Sequence, residues 1–600
     1  MPKIEDIYPL SPTQQGLLFH SLLVPGAGVY VPQITLTLSG TLDPKSLKEA
    51  WERAIQRHPI LRTGFQWEQR DEPFQVVYRK VEISWFELDW STLNPDEQAI
   101  KLTNLQTANR TEPFNLHRPP LMRLHLIRTG STGYFLVWCY HHLILDGWSA
   151  GRVMEEVLQD YLSSTPDAGI PKPSFVPSRY ADFIQWLNQQ DGDAAQTFWE
   201  RRLQSVSGSL YQEGRSGPTG HRERPTGWSE TTLTFSRSET DAIKTLAKTN
   251  GITLNTLLLG ALGFLLNRYR DSRQTIVGNT VAGRPASLPQ ADSMVGLFIN
   301  TVPVVIPTEP GATVSDWLQR LHAHQAEANT FEHVSLRKIQ TWTNGGNPLF
   351  DCLLVLENYP LSIGGGPSAL HLENVAFDEW THLPLTLLAV LSENLTIRAK
   401  FQMSHFEPDE AEKFLEHARI LLAAFCRHPN AYLASINLLT ESDSTRIRSW
   451  NQTDHAWPSP DATLCDLLTV PPEKAREAIC FEEQSMTPEE LQAHTELLAA
   501  ELGALGVADE DLVAVYLDRS LLLPVALRAA LWARAAFVPI DPSYPALRLQ
   551  TILHDARPKV MIVDGRQKLP ALETDAAILD LATIDWTRPG ANNRPKEPAP

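Results

Sequence analysis

Residues 140–151 read YHHLILDGWSAG, with two adjacent histidines and an Asp-Gly pair three residues further on. Upstream, YFLVWCY (134–140) is a run of aromatic, β-branched and aliphatic residues with the length of a buried strand. Downstream, WSAGRVMEEVLQDYL (148–162) takes up a helical period, with Val153, Val157 and Tyr161 in line. The histidines therefore stand on a strand-to-helix loop, where a polar side chain can enter a cleft. Imidazole changes charge near neutral pH, so a doubled histidine here points to proton handling or to metal. Metal fits poorly: neighbours on an extended backbone point apart, and no HExxH pattern occurs. A general-base role fits better, with one ring facing the cleft and the other packed inward. Asp146 would be a second catalytic carboxylate or a buried ion needing a cation, and Arg284 in GNTVAGRP (278–285) is the distant candidate. Gly147 permits a tight turn and offers a backbone N–H to an oxyanion. Ser149 reads as a helix cap rather than a nucleophile.

The rest of the chain bounds what this loop can serve. Six hundred residues exceed one ordinary core. A hydrophobic content of 42% with 20% charged residues describes a globular protein. The formal charge of −18 disfavours nucleic acid or an anionic membrane as the main partner. The longest apolar run, LLLGALGFLL (257–266), is too short to span a bilayer, and MPKIEDIYPLSP lacks the pattern of a signal peptide. The five cysteines (Cys139, Cys352, Cys426, Cys465 and Cys480) form no CxxC pair and indicate neither a disulfide framework nor a cysteine zinc site. A cytoplasmic setting is expected.

The organisation is mixed α/β. Residues 1–162 form a first lobe, in which SLKEAWERAIQRHPILRTGF (46–65) places Ala50, Trp51, Ala54 and Ile55 on one helix face. The Pro- and Ser-rich stretch 163–178 reads as a connection. A second lobe runs over 179–435, interrupted by the Gly- and Arg-rich loop 213–227, and residues 436–455 are expected to be a linker. From 456 to 600, VAVYL, SLLLPVALRAALWARA, AFVPID, ALRLQTILHDA and VMIVD alternate strand and helix, as in a parallel sheet wound with helices.

HHLILDG resembles the HHxxxDG signature of the condensation domains of nonribosomal peptide synthetases, relatives of chloramphenicol acetyltransferase. LSPTQQGLLF (10–19), RYADFIQW (179–186), GNTVAGRP with VGLFINTVPV (295–304), and FEHVSLRKIQ (331–340) with NPLFDCLLVLENYP (347–360) resemble further motifs of that family, in its order. WNQTDHAWP (450–458), SMTPEEL (485–491) and LWARAAFVPIDPSYPALRL (531–549) resemble the linker and first core motifs of an adenylation domain, with Pro488 in place of the usual Tyr and Arg534 where Gly is common. The family's phosphate-binding loop would begin just beyond Pro600, so this part is expected not to adenylate and the chain reads as a piece of a longer synthetase.

The resemblance implies two chloramphenicol-acetyltransferase-like lobes in a V, followed by a partial doubly wound α/β adenylation subdomain. It implies amide bond formation between a donor acyl thioester and the α-amine of an acceptor aminoacyl thioester. Both substrates arrive on phosphopantetheine arms of upstream donor and downstream acceptor carrier domains, with no covalently bound cofactor. Within the catalytic motif His141, His142, Asp146 and Gly147, it makes His142 the catalytic or positioning residue and His141 structural, with Asp146 paired to Arg284. Tyr180, Asp182 and Trp186 are expected in lobe packing, and Asn300 and Thr301 at a strand end or tunnel wall. Ala282 stands where Ser is frequent, and Val304 where an extra residue and Arg are frequent. LSPTQQGLLFH, FEHVSLRKIQTW and LENYP look like the subgroup that accepts a D-configured donor. The alternatives are an epimerase or another acyltransferase on the same fold, or a non-catalytic scaffold that docks carriers.

Overall fold

A computed structural model describes residues 3–68, 72–163, 179–204, 227–357, 370–454, 464, 477–566 and 569–588. Cys465, the connection at 164–178, the loop at 213–226, the end of LENYP, HAWP after Asp454 and the Pro-rich tail lie outside these residues. The chain divides into two compact units, Met1–Arg448 and Ser449–Pro600.

In the first unit, strand Gly133–Tyr140 is the centre of a five-stranded sheet, paired antiparallel with Gln33–Gly40 on one side and Met122–Arg128 on the other. Its alternate residues Leu136, Trp138 and Tyr140 are buried against helices Pro44–Arg57 and Gly147–Ser163. Trp138 meets Trp51 edge-on with ring centroids 4.7 Å apart, which fixes the helix predicted over 46–65 against the sheet.

The outer strand of this sheet is a departure from the sequence reading. Leu370–Asp378, far along the chain, pairs antiparallel with Gln33–Gly40. The first core also takes in Tyr180, Phe183, Ile184, Val295 and Phe298. The division into 1–162 and 179–435 is thus corrected: these segments of the later range pack with the first lobe, because their apolar faces complete its core.

The second lobe holds a six-stranded sheet in the order Asn300–Pro307, Gln274–Val281, Cys352–Glu357, Leu385–Leu391, Leu395–Gln402 and Trp228–Thr234. Helix Leu254–Arg270 carries the long apolar run, and most of it is buried beneath helices Val314–Asn329 and Pro408–Arg427. Among the described residues no single helix is long and apolar enough to cross a membrane; one pair, Arg237–Thr249 and Leu254–Arg270, passes only together and is bent by 103°. The expected linker 436–455 is helical over Glu441–Trp450, because Thr440 accepts the Asp443 N–H and caps the first turn.

The second unit has a parallel sheet in the order Ala536–Ile540, Leu512–Tyr516, Val560–Val563 and Ala577–Asp580, with apolar clusters on both faces. Pro488 is accommodated as the first residue of helix Pro488–Ala504, behind a Thr487–Glu490 capping box. Arg534 follows helix Leu522–Trp532 with φ of 63°, a left-handed conformation suited to glycine. Its ion pair with Asp509 is largely exposed and contributes little. Arg534→Gly is therefore expected to stabilise this unit by about 1 kcal/mol, raising its calorimetric transition in the full chain by roughly 2–4 °C; a fall would count against local strain.

Candidate functional site

The loop 141–147 is held from four directions, so its histidines have little freedom. Ser11 and Gln14 form a capping box at the start of helix Pro12–Leu23, and the buried Gln14 amide donates to Leu143 O at 2.9 Å. The His141 N–H donates to Leu121 O and the His142 N–H to Tyr30 O, both at 2.9 Å, while the Asp146 N–H donates to Gly296 O at 3.1 Å.

The two imidazoles have opposite environments. His141 Nδ1 accepts the Leu143 N–H at 3.1 Å, so its proton is on Nε2, which faces Ser21 Oγ at 3.2 Å. Burial, with the neighbouring His142 second, pushes its pKa down to about 3. It is a neutral ring engaged at both nitrogens.

His142 is 3% exposed and differs at both ring nitrogens. Nδ1 stands 2.7 Å from Leu145 O, and Nε2 stands 2.9 Å from a carboxylate oxygen of Glu379. Burial alone lowers the ring's proton affinity. The Glu379 charge and hydrogen bond, the Leu145 carbonyl and Asp146 together outweigh it, and the pKa is raised. Burial likewise raises Glu379, yet the His142 contacts and Lys400 bring it below the usual carboxylate value.

Asp146 is fully buried and serves three donors. Its carboxylate accepts the Ser149 N–H at 2.7 Å and the Phe298 N–H at 2.9 Å, and meets an Arg284 nitrogen at 3.4 Å. The helix cap at Gly147–Ser163 is thus Asp146, not Ser149 as the sequence suggested. Ser149 Oγ instead accepts from Arg284 at 2.7 Å and donates to Gly296 O at 2.8 Å. Gly147 opens this helix without a positive φ, and its N–H is one of the first-turn donors that lack an intrahelical acceptor. Arg284 also donates to Ala291 O at 2.5 Å and Met294 O at 2.9 Å, and its guanidinium lies 4.0 Å from the centre of the Phe298 ring. The preceding Gly283 has φ of 60°, and a Cβ there would sit 1.9 Å from Phe298 O.

The supporting motifs surround this knot. Tyr180 is buried and donates to Leu297 O at 2.6 Å, and Trp186 donates to Ser287 Oγ at 3.1 Å. Asp182 is exposed and takes no part in lobe packing, which corrects the expectation for it; it lies on the solvent side of helix Tyr180–Leu187. The Asn300 amide donates to Glu332 O at 2.7 Å and Val334 O at 2.6 Å, satisfying backbone carbonyls of the FEHVS stretch. Thr301 is half-buried beside it. Among the described residues no group of three or more His, Cys, Asp or Glu side chains is placed to hold a metal ion.

Glu379 is the residue that the sequence did not single out. It follows the crossover strand Leu370–Asp378 directly, where the chain turns back towards the second lobe's strand Leu385–Leu391. Lys400, buried in that lobe's sheet, donates to Asp378 at 2.6 Å and to Glu379 O at 2.9 Å. A carboxylate thus joins His142 from a segment tied to both sheets.

The condensation-domain family model matches residues 4–447, three-quarters of the chain. The chain belongs to the condensation-domain family of nonribosomal peptide synthetases. Residues 470–598 match the AMP-binding enzyme family, as the beginning of an adenylation domain. The chain is 34% identical over 577 residues to a component of the linear gramicidin synthase of Brevibacillus parabrevis, covering 94% of this chain and 7% of that protein. It is 30% identical over 589 residues to tyrocidine synthase 2 of the same organism, covering 97% of this chain and 16% of that protein. Among solved structures it resembles holo-AB3403, a four-domain nonribosomal peptide synthetase bound to AMP and glycine, with a TM-score of 0.70 at 20% identity over 97% of this chain and 45% of that one. The first condensation domain of the calcium-dependent antibiotic synthetase gives a TM-score of 0.60 at 16% identity, over 73% of this chain and all of that one. These structural likenesses speak to the fold.

Proposed function

We propose that residues 4–447 join two carrier-bound acyl groups, with His142 at the reacting centre. The α-amine of an acceptor aminoacyl thioester attacks the carbonyl of a donor thioester. A C–N bond forms and the C–S bond breaks, and the amine's proton passes to the leaving thiolate. A thioester is already activated, so the protein's task is to position the amine and manage one proton. The observation that carries this reading is the buried His142 ring, held between Leu145 O and the Glu379 carboxylate, on a loop that Asp146 ties to Phe298. Asp146 and Arg284 are assigned to holding that loop, and the Gly147 N–H to the oxyanion. The substrates are proposed to arrive on phosphopantetheine arms of an upstream donor carrier and a downstream acceptor carrier, in the cytoplasm. The D-donor assignment rests on LSPTQQGLLFH, FEHVSLRKIQTW and LENYP. No adenylation is assigned to residues 470–598, which carry no phosphate-cradling loop.

The test is a reconstitution with two loaded carrier proteins, offering donors of both configurations and reading the acceptor carrier by intact mass. A dipeptidyl mass formed faster from the D-donor is expected. Carrier binding without product from any matched pair would leave a docking scaffold instead.

A further inference from the structure

We propose that Glu379 is a positioning residue that holds His142 in the resting site as a cation donating from both ring nitrogens; this rests on the placement of His142 at the reacting centre.

The geometry restricts the proton count. A carbonyl oxygen can only accept, so the 2.7 Å contact with Leu145 O puts a hydrogen on Nδ1. The remaining nitrogen then faces a carboxylate at 2.9 Å. Either Nε2 carries a hydrogen too, giving an imidazolium–carboxylate pair, or the carboxyl is protonated and the ring neutral. The surrounding groups favour the first. On the same loop His141 is neutral and Asp146 is a nearby anion that favours the cation. The Tyr140 and Tyr30 hydroxyls are buried and stay protonated, because burial pushes both upward. Beyond Glu379, Lys400 is paired with Asp378 and Glu230 and supplies a positive charge behind the Glu379 backbone. Arg398 donates to Phe377 O and lies 3.9 Å from Glu357. Glu357 is pushed up to about 7, by burial first and the Glu379 charge second. His382, lowered to about 4 chiefly by burial, adds no charge at neutral pH.

The consequence is chemical. An imidazolium has no lone pair. In the resting site both N–H groups of His142 are engaged, by Leu145 O and by Glu379, and the ring cannot take a proton from the amine until the pair gives one up. Its attachment matters equally: Glu379 is placed by the crossover strand and by Lys400, so ring orientation depends on both sheets.

The test uses the full chain with histidine labelled at Cε1, followed by NMR as pH is varied. His142 is assigned by the signal lost in His142→Gln, since the chain has 18 histidines. In the unsubstituted protein the ring should remain protonated past the ordinary midpoint near 6.5. In Glu379→Gln burial acts unopposed by the carboxylate, and the midpoint should move below 6.5. Single-turnover condensation by Glu379→Gln should fall at least about tenfold, with KM for either carrier unchanged and the His142-dependent limb of the pH profile moved to lower pH. Glu379→Asp should recover part of the midpoint shift. A His142 midpoint below 6.5 in the unsubstituted protein overturns the inference without any variant, as does an equal midpoint in Glu379→Gln. Absence of product from every protein, with the NMR shift present, would instead remove the condensation reading and leave the pairing.

Discussion

His142→Ala is expected to lower single-turnover dipeptide formation by about 10²–10⁴-fold while the chain remains folded. The loop survives the loss because its main supports are elsewhere: Gln14 holds Leu143, and Asp146 holds Ser149 and Phe298. Stability should still fall by about 1–3 kcal/mol, since Glu379 loses the group it is bonded to. That loss is limited because the Glu379 side chain is about one-fifth exposed and can take up water or a proton. The measurements are intact mass of the acceptor carrier and thermal melting of the same preparation. A rate within about threefold of the unsubstituted protein would move the chemistry away from His142. The size of the loss does not by itself separate proton transfer from positioning, since a held amine gains from proximity as well. The comparison with Glu379→Gln makes that separation, because it leaves the ring in place and alters only its partner. The pair also has a defined pH window. Its contribution to stability is complete between the ordinary midpoints of a free glutamate, about 4.3, and a free histidine, about 6.5. It is lost as pH falls through the depressed Glu379 midpoint, and as pH rises through the raised His142 midpoint.

The sequence carries what is local. YFLVWCY announces a strand because its residues fit a surface buried on both sides, and WSAGRVMEEVLQDYL announces a helix by its period; the structure has Gly133–Tyr140 and Gly147–Ser163. Arg284 could be named as a distant candidate because a buried aspartate demands a cation, and the resemblance of HHLILDG and GNTVAGRP to the family's motifs paired the two. The cap at Gly147–Ser163 was ambiguous for a plain reason: Asp146 and Ser149 are both capping residues, three apart, and only the fold decides which backbone N–H goes unpaired. Glu379 was illegible for a different reason. Its partner is 237 residues away, and no spacing rule links them. The strand that leads into it, LHLENVAFD, lies at a sheet edge with most side chains exposed or half-exposed, and a bulge between Leu372 and Asn374 breaks its period, so that Leu370 and Leu372 alternate in one phase and Val375 and Phe377 in the other. Pairing across the lobes is a property of topology, and the periodicity of one segment does not contain it.

Asp146→Ala is expected to destabilise the first unit by about 3–5 kcal/mol, a larger effect on stability than that of His142→Ala. Three donors lose their acceptor at once: the Ser149 N–H, the Phe298 N–H and an Arg284 nitrogen. All lie where water has little access, with Asp146 at 0% and the Arg284 side chain at 5% exposure. The guanidinium keeps its carbonyl contacts to Ala291 and Met294, but its charge is left buried without a counter-ion. Arg284→Ala should cost less, because the carboxylate keeps both backbone N–H groups. Asp146→Asn separates the parts: the side-chain oxygen still caps Ser149, while the charge is gone, and an intermediate loss is expected. Melting of the three variants and the Asp146→Ala/Arg284→Ala double variant closes a cycle. Coupling of at least about 1 kcal/mol is expected for directly contacting residues, and unchanged melting in both single variants would remove the ion pair as the support of the loop. Condensation should fall in Asp146→Ala even at temperatures where the chain is folded, because Asp146 and Leu145 are adjacent, and the carbonyl that orients His142 moves when the knot behind it is released.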